Sequence, residues 1–506
     1  MAVARNVIAN TVGTAVLALA TAATTIFSFR LAGSEQFGLI GFYFTLHGIV
    51  AILDLGIGPG IVREVAYARS GEHDSGLGSV LFTFQGIYAG IVGLTTIALV
   101  AASSFMATTW LTARTLSATE IQYALILAAL IIAMQRLRTV YSVFLEGLEQ
   151  QVLVNIVQSA AAVMRAVVVL GAMLLIAPTA VVFLGAFLLA STAEVLVTAW
   201  YAWRAVEDSA KPQFSTVLLK RLWRFLLTSS LAVAIGALLQ GVDKMVVSAM
   251  LPLDVVGRYM FISQICLIVL KLVAPNVTAI FPRLSASIRS GDVPEARRVY
   301  FAGAQAVTCI VAGFGLGAAF FGGEALFILT GDSVVAHDYH WVFAVMAFAY
   351  GLNGLCLIPN ALRLSEGHPG TALWSNLVAG AVYLPAVILL TPLYGVLAPA
   401  ALWLAANGFV FAVLVARAHR DALAGLAWPW LWACVIPQVA AAAAVYAMTK
   451  AMLPQTDSPV VIAGIVAVAG SIGLAASVAV SGDLRHSVIS FIRRSFSSAA
   501  VISLAR

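Results

Sequence analysis

The sequence predicts an all-α polytopic membrane protein of about fourteen transmembrane helices, arranged as two six-helix repeats plus two extra C-terminal helices. Three observations predict it. Of the 506 residues, 62% are hydrophobic and 10% charged, with a mean hydropathy of +1.00; a soluble domain carries about 25% charge and about 45–50% apolar residues. The apolar residues gather in windows of about 20, the length at which a helix crosses the hydrocarbon while satisfying its own backbone. Finally, Arg63 with Arg69-Ser70-Gly71-Glu72 recurs as Arg283 with Arg289-Ser290-Gly291-Asp292. The shift is a constant 220 (283 − 63, 289 − 69) and also carries Glu146-Gly147 onto Glu366-Gly367. Duplicated membrane bundles are a feature of transporters.

The first window, 7–29, runs to Phe29, too long for a signal-peptide core, and the repeat shift pairs it with 227–249, so it is expected to stay as a span. The second, 38–58, is expected to be closed by Gly56-Ile57-Gly58-Pro59-Gly60. Windows 78–104, 119–145, 152–176 and 180–203 complete the first repeat. The second comprises 225–250, 256–280, 299–321, 338–362, 371–391 and 396–416; its second helix carries Pro275-Asn276 and Pro282, with a kink expected at the deeper Pro275. Windows 430–451 and 459–481 lie outside the duplication. The domains are therefore expected at 1–208 (N-terminal lobe), 209–422 (C-terminal lobe), 423–482 (two further spans) and 483–506. The last is a basic amphipathic tail bearing Arg485, Arg493 and Arg494, or else a disordered end.

Loop charge sets the orientation. With fourteen spans, nineteen basic residues fall on the side of Arg5, Arg63, Arg204, Arg283 and the tail, against Arg30, Arg114 and Lys450 on the other. The positive-inside rule then places both termini in the cytoplasm. The net charge of +6 is accordingly read as topological, with no nucleic-acid partner expected. Cys266, Cys309, Cys356 and Cys434 lie in apolar windows without ligand spacing, so no metal is expected. No phosphate-binding lysine loop appears, and neither a cofactor nor an enzymatic activity is expected.

Charges inside spans carry the functional reading, because each costs about 2.5–3.5 kcal/mol at mid-bilayer unless it faces a bundle interior or a wet cavity. Arg136, Arg138, Arg165, Lys244, Arg258 and Lys271 stand against Asp54, Glu194 and Asp243. That balance suits an anionic cargo such as a phosphate or pyrophosphate group. Arg136, Arg138, Arg165, Lys244 and Lys271 are the candidate cargo-binding cations. Arg136 and Arg138 are about 200° apart around a helix, so one of them at most is expected to face a central cavity. Asp54, Glu194 and Asp243 are candidates for coupling to an ion, and a plain Arg165–Glu194 pair is the alternative reading of those two. Arg63, Arg69, Arg283 and Arg289 are candidates for a cytoplasmic rim where an anionic headgroup docks, or anchors of topology alone.

Glu35-Gln36-Phe37-Gly38, Leu53-Asp54-Leu55-Gly56 leading to Arg63-Glu64, and Asp243-Lys244-Met245-Val246-Val247 before Val256-Gly257-Arg258-Tyr259 resemble the polysaccharide-transporter, or O-antigen flippase, family. That family belongs to the multidrug/oligosaccharidyl-lipid/polysaccharide (MOP) exporter superfamily. The resemblance implies a bacterial inner-membrane flippase that moves an undecaprenyl-pyrophosphate-linked oligosaccharide by alternating access, with basic residues in a central cavity. It also implies membrane lipids, polysaccharide polymerase and chain-length machinery as partners. Related lipid II flippases carry cavity arginines in span 1, and none lies here between Arg5 and Arg30. A multidrug or cation exporter of the same superfamily and a polysaccharide polymerase or ligase are the alternatives. The first should show more carboxylates than arginines inside, and the second a sizeable outward loop with catalytic groups.

Overall fold

The computed structural model describes residues 2–51, 57–70, 76–206, 211–216, 241–453, 458–482 and 484–485. Asp54, and the tail beyond Arg485, lie outside the described residues. Among those described, twelve helices are long and apolar enough to cross a membrane. The seventh expected span is described only from Gly241 onward, so it is not among the twelve. The protein is a multi-pass, all-helical membrane protein, as the composition requires.

One compact unit comprises Met1–Phe261 and Val387–Val396. Its first helix, α1 (Ala2–Val50), contains one residue outside helical geometry, Gly33 at φ 79° and ψ 174°. Phe29 and Phe37 flank that glycine and meet edge to face at 5.3 Å, whereas eight residues of straight helix would separate them by about 12 Å. Gly33 therefore turns the chain sharply between the first two expected spans, a conformation that favours glycine. The helix α2 (Ile57–Ser70) follows. Gly58, Pro59 and Gly60 thus open α2, where the sequence reading had them closing the preceding span; proline is well placed in a first turn, whose N–H groups have no helical partner. Next come α3 (Leu77–Phe105), ending in a π-helical turn at Met106–Trp110, and α4 (Ala118–Gly147), α5 (Gln151–Leu175) and α6 (Ala180–Arg204). Ser117 caps α4 through the Glu120 N–H, and Thr179 caps α6 through that of Val182. A core of Val65, Phe84, Tyr88, Val140, Phe144 and Ala202 joins α2, α3, α4 and α6. Gly147 lets α4 approach α2, since a Cβ there would lie 3.1 Å from the Val65 side chain.

The unit continues through α7 (residues 241–250) and the first turns of α8 (Leu253–Ser290). These pack on the Gly33 turn through glycines: a Cβ on Gly257 would overlap the Ser34 carbonyl, and one on Gly41 would meet Met260 at 2.5 Å. Phe37, fully buried, sits edge-on to Phe261 at 5.8 Å. Gln36 donates to Glu120 at 2.9 Å and accepts from the Ala180 N–H at 2.7 Å, tying the turn to the starts of α4 and α6. The Glu35-Gln36-Phe37-Gly38 and Val256-Gly257 motifs are therefore a packing device. By contact the chain divides after Phe261.

The other unit comprises Ile262–Ala386 and Leu397–Arg506. The helix α8 runs through Pro275 and Pro282 to Ser290 as one helix. Pro275 withholds only the N–H that the Lys271 carbonyl would accept, and a lipid-span helix tolerates this when neighbouring groups compensate. Next are α9 (Val293–Thr330), capped by Asp292, the short α10 (Ser333–Asp338), α11 (His340–Ser365), α12 (Gly370–Tyr394) and α13 (Leu397–Ala418). The core of this unit gathers Val273, Tyr300, Ala304, Ile358, Leu362 and Trp430. Asn353 donates to Asn407 at 2.8 Å across α11 and α13. The span formed by α14 (Ala427–Cys434) and α15 (Ile436–Ala451), together with α16 (Pro459–Val480), packs on α9. There the Tyr446 hydroxyl donates to the Gly313 carbonyl at 2.8 Å.

His419, just past the end of α13, is 5% exposed between the rings of Tyr300 and Trp430. Its Nδ1 lies 2.8 Å from the Val415 carbonyl, and its buried Nε2 has no hydrogen-bond partner among the described residues. Burial holds this imidazole below its ordinary value. A depressed folded-state pKa contributes stability that is present above the unfolded value of about 6.5 and lost as pH falls. Thermal stability is therefore expected to drop between pH 7.5 and 5.5, and less steeply in His419→Phe; equal slopes in thermal melts would refute this role.

Candidate functional site

The intramembrane charges of the first unit converge. On α6, Glu194 is 4% exposed and sits between two arginines from different helices. Arg138 Nε of α4 lies 3.4 Å from its Oε1, and Arg165 Nη2 of α5 lies 3.3 Å from its Oε2. Arg165 also lays its guanidinium over the Phe187 ring at 5.0 Å, a stacking suited to arginine's planar charge. Phe187 in turn meets Tyr43 edge-on at 5.5 Å.

Arg136, 8% exposed, reaches the other side of the cluster, where its Nη2 is 2.7 Å from His47 Nε2 on α1. Arginine can only donate, so Nε2 accepts and the imidazole proton sits on Nδ1. That Nδ1 is buried without a hydrogen-bond partner among the described residues. The charges of Arg136, Arg138, Arg165 and Glu194 all act on the Tyr43 hydroxyl. Gln135 Nε2 lies 3.5 Å from Ser191 Oγ, one turn from Glu194, and joins α4 to α6 at this depth.

Two guanidinium groups, Arg138 and Arg165, therefore flank one carboxylate, while a third, Arg136, meets His47. Arg136 reaches His47 on α1 and Arg138 reaches Glu194 on α6. The two side chains thus leave α4 in different directions. The Arg165–Glu194 pair expected from the sequence is present. Tyr43, His47 and Phe187 were not singled out from the sequence. The available signal was that Tyr43 and His47 are four residues apart and so share a helix face.

The other candidates are distributed. Lys244 Nζ lies 3.1 Å from both oxygens of Asp243, and the fully buried Tyr259 donates to Asp243 at 2.6 Å. Nearby, Arg258 approaches Asp254 at 3.8 Å. Lys271, half-buried on α8, lies in the second unit, and no hydrogen bond or ion pair is found for it among the described residues. Arg63 pairs with Glu64 at 3.1 Å and lines, with Glu146 and Val62, an open recess of about 510 Å³. Arg69, Arg283 and Arg289 are exposed.

The repeat landmark Glu366 is structural. It accepts from Arg363 at 2.7 Å and from the Ala422 N–H at 3.2 Å, while Arg363 also contacts Asp421. No group of three or more metal-ligating side chains occurs among the described residues.

This architecture is the fold of the MOP transporter superfamily. A solved structure titled as the lipid II flippase MurJ in an inward closed conformation matches with a TM-score of 0.70 at 12% identity, covering 95% of this chain and all of that one. An inward-facing multidrug-resistance MATE transporter matches at 0.61 and 15%, covering 89% and 100%. A MOP transporter from Pyrococcus furiosus, whose title reports a reversed-polarity binding pocket, matches at 0.56 and 16%, covering 82% and 93%. The profile of the polysaccharide biosynthesis protein family matches residues 3–288. The chain belongs to that family. No curated protein sequence matches it.

Proposed function

We propose that this protein is a flippase carrying an undecaprenyl-pyrophosphate-linked oligosaccharide from the cytoplasmic to the periplasmic leaflet of the bacterial inner membrane by alternating access, with both termini cytoplasmic. The observation that carries this reading is the pair of arginines from two helices, Arg138 and Arg165, that meet at the single carboxylate of Glu194 inside the membrane. Such a site attracts a multiply charged phosphate ester and repels a cation. Membership of the polysaccharide biosynthesis family points the same way for the rest of the cargo. Lys271 and the Asp243–Lys244 pair are further candidate contacts along the route, Asp243 remains a coupling candidate, and Arg63, Arg69, Arg283 and Arg289 would gather anionic headgroups at the entrance. The polymerase and chain-length machinery would take the glycan once it is flipped.

The test is leaflet exposure of a labelled undecaprenyl-pyrophosphate oligosaccharide in proteoliposomes, with and without the protein. Protein-dependent exposure is expected. Absence of movement, with export of a lipophilic cation from the same vesicles, would make the protein a cation exporter.

A further inference from the structure

Glu194 contacts two arginines and completes neither. Its distances of 3.4 Å to Arg138 Nε and 3.3 Å to Arg165 Nη2 exceed the ~2.7–2.9 Å of a charge-assisted hydrogen bond. Arg138 Nε is fully buried and has no hydrogen-bond acceptor among the described residues, and His47 Nδ1 is in the same condition. Buried donors of this kind are rare unless something else supplies the acceptor. Glu194 has only two oxygens and a short tether to α6, and held between Arg138 and Arg165 it satisfies neither at hydrogen-bond distance.

We propose that Glu194 is a built-in stand-in for the cargo's pyrophosphate: it holds the Arg138–Arg165 anion site between transport events and is displaced when the lipid pyrophosphate enters. The proposal rests on the flippase reading and specifies the chemistry of its site. Each arginine takes a separate oxygen of the carboxylate, as each could take a separate phosphoryl group of a pyrophosphate. The diphosphate brings more acceptor oxygens than a carboxylate, enough for the Arg138 Nε–H and for Arg165 together. Phe187 beneath Arg165 keeps that guanidinium in place during the exchange.

The carboxylate also answers two physical needs. Two guanidiniums packed side by side inside the membrane without the Glu194 carboxylate between them would be destabilising in the empty protein. Without it they would also hold a pyrophosphate more firmly, and transport requires a site weak enough to leave. A carboxylate that returns as the cargo departs serves both. The groups around Glu194 from the neighbouring helices are Arg138 on α4 and Arg165 on α5, which contact its carboxylate, and Tyr43 on α1, whose hydroxyl feels its charge.

The experiment is calorimetric binding of farnesyl pyrophosphate to the purified full chain, comparing wild type with Glu194→Gln, Glu194→Asp and Arg165→Ala. Removing the competing carboxylate in Glu194→Gln is expected to tighten binding about tenfold, within the range typical of coupled sites, and to slow leaflet transfer of a labelled pyrophosphate lipid. Glu194→Asp keeps the charge but is one methylene shorter, so it loses its hold on one arginine and should tighten binding by a smaller factor. A general charge effect would leave Glu194→Asp at the wild-type affinity, which would overturn the displacement model. Weaker binding in both Glu194 variants would overturn it too, making Glu194 a support of the arginines. If Glu194→Gln does not fold, Glu194→Asp decides alone. In every case Arg165→Ala separates the two readings: weakened binding keeps the flippase site whatever Glu194 does, and wild-type binding removes the site itself.

Discussion

Replacing Arg363 by alanine is expected to destabilise the protein by about 3 kcal/mol, the lower end of the range for removing one partner of a buried ion pair. The Arg363 and Glu366 side chains are 9% and 4% exposed, so the variant leaves the Glu366 carboxylate buried with only the Ala422 N–H to meet its charge. Asp421, about half exposed, can turn to water and softens the loss. The Glu366 carboxyl already titrates above its ordinary value because of burial, held back by the Ala422 N–H and by Arg363; without Arg363 it should move higher. A carboxyl whose folded-state pKa is raised binds its proton more tightly when folded, so stability rises as pH falls through that pKa. The deficit of Arg363→Ala should therefore shrink on acidification below about pH 5. Thermal melts of both proteins across pH check it, and a deficit independent of pH would assign the loss to packing.

The second large effect concerns transport. Arg165→Ala is expected to slow translocation of a lipid-linked pyrophosphate by about 10- to 100-fold, the equivalent of about 1.5–3 kcal/mol for a hydrogen bond to a charged group. Arg165→Lys retains the charge but loses the planar surface on Phe187 and the two-pronged donor set, so it should fall between alanine and wild type. Initial rates of leaflet exposure in proteoliposomes measure both. Wild-type rates in Arg165→Ala would remove this arginine from the cargo path, while equal losses in Lys and Ala variants would show that the guanidinium shape, beyond its charge, is what transport requires.

Much of this was legible in the chain because membrane physics leaves few choices. Windows of about 20 apolar residues become helices since no other span satisfies its own backbone. A buried Arg165 implied a buried partner, and Glu194 was the acidic residue at matching depth. Other features were not legible. Gly58-Pro59-Gly60 suits the end of one helix and the first turn of the next equally well, and only the fold shows that it starts α2. From the sequence Pro275 reads as a kink, and only the fold shows that α8 runs on through it and Pro282 as one helix to Ser290. The motif glycines gave no hint of their partners, because the approach of Gly257 to Ser34 joins positions more than two hundred residues apart.

The sequence by itself determined the class of protein: all-helical, membrane-spanning, internally duplicated and carrying an interior richer in arginine than in carboxylate. These follow from local periodicity and from the cost of charge in lipid, which act wherever the residue sits. Only the tertiary structure decided which charges form a site. Arg136, Arg138, Arg165, Glu194 and His47 come from four helices, and whether they meet depends on the rotation and packing of each helix against its neighbours. Hydropathy does not encode that geometry, and neither does charge spacing along one helix.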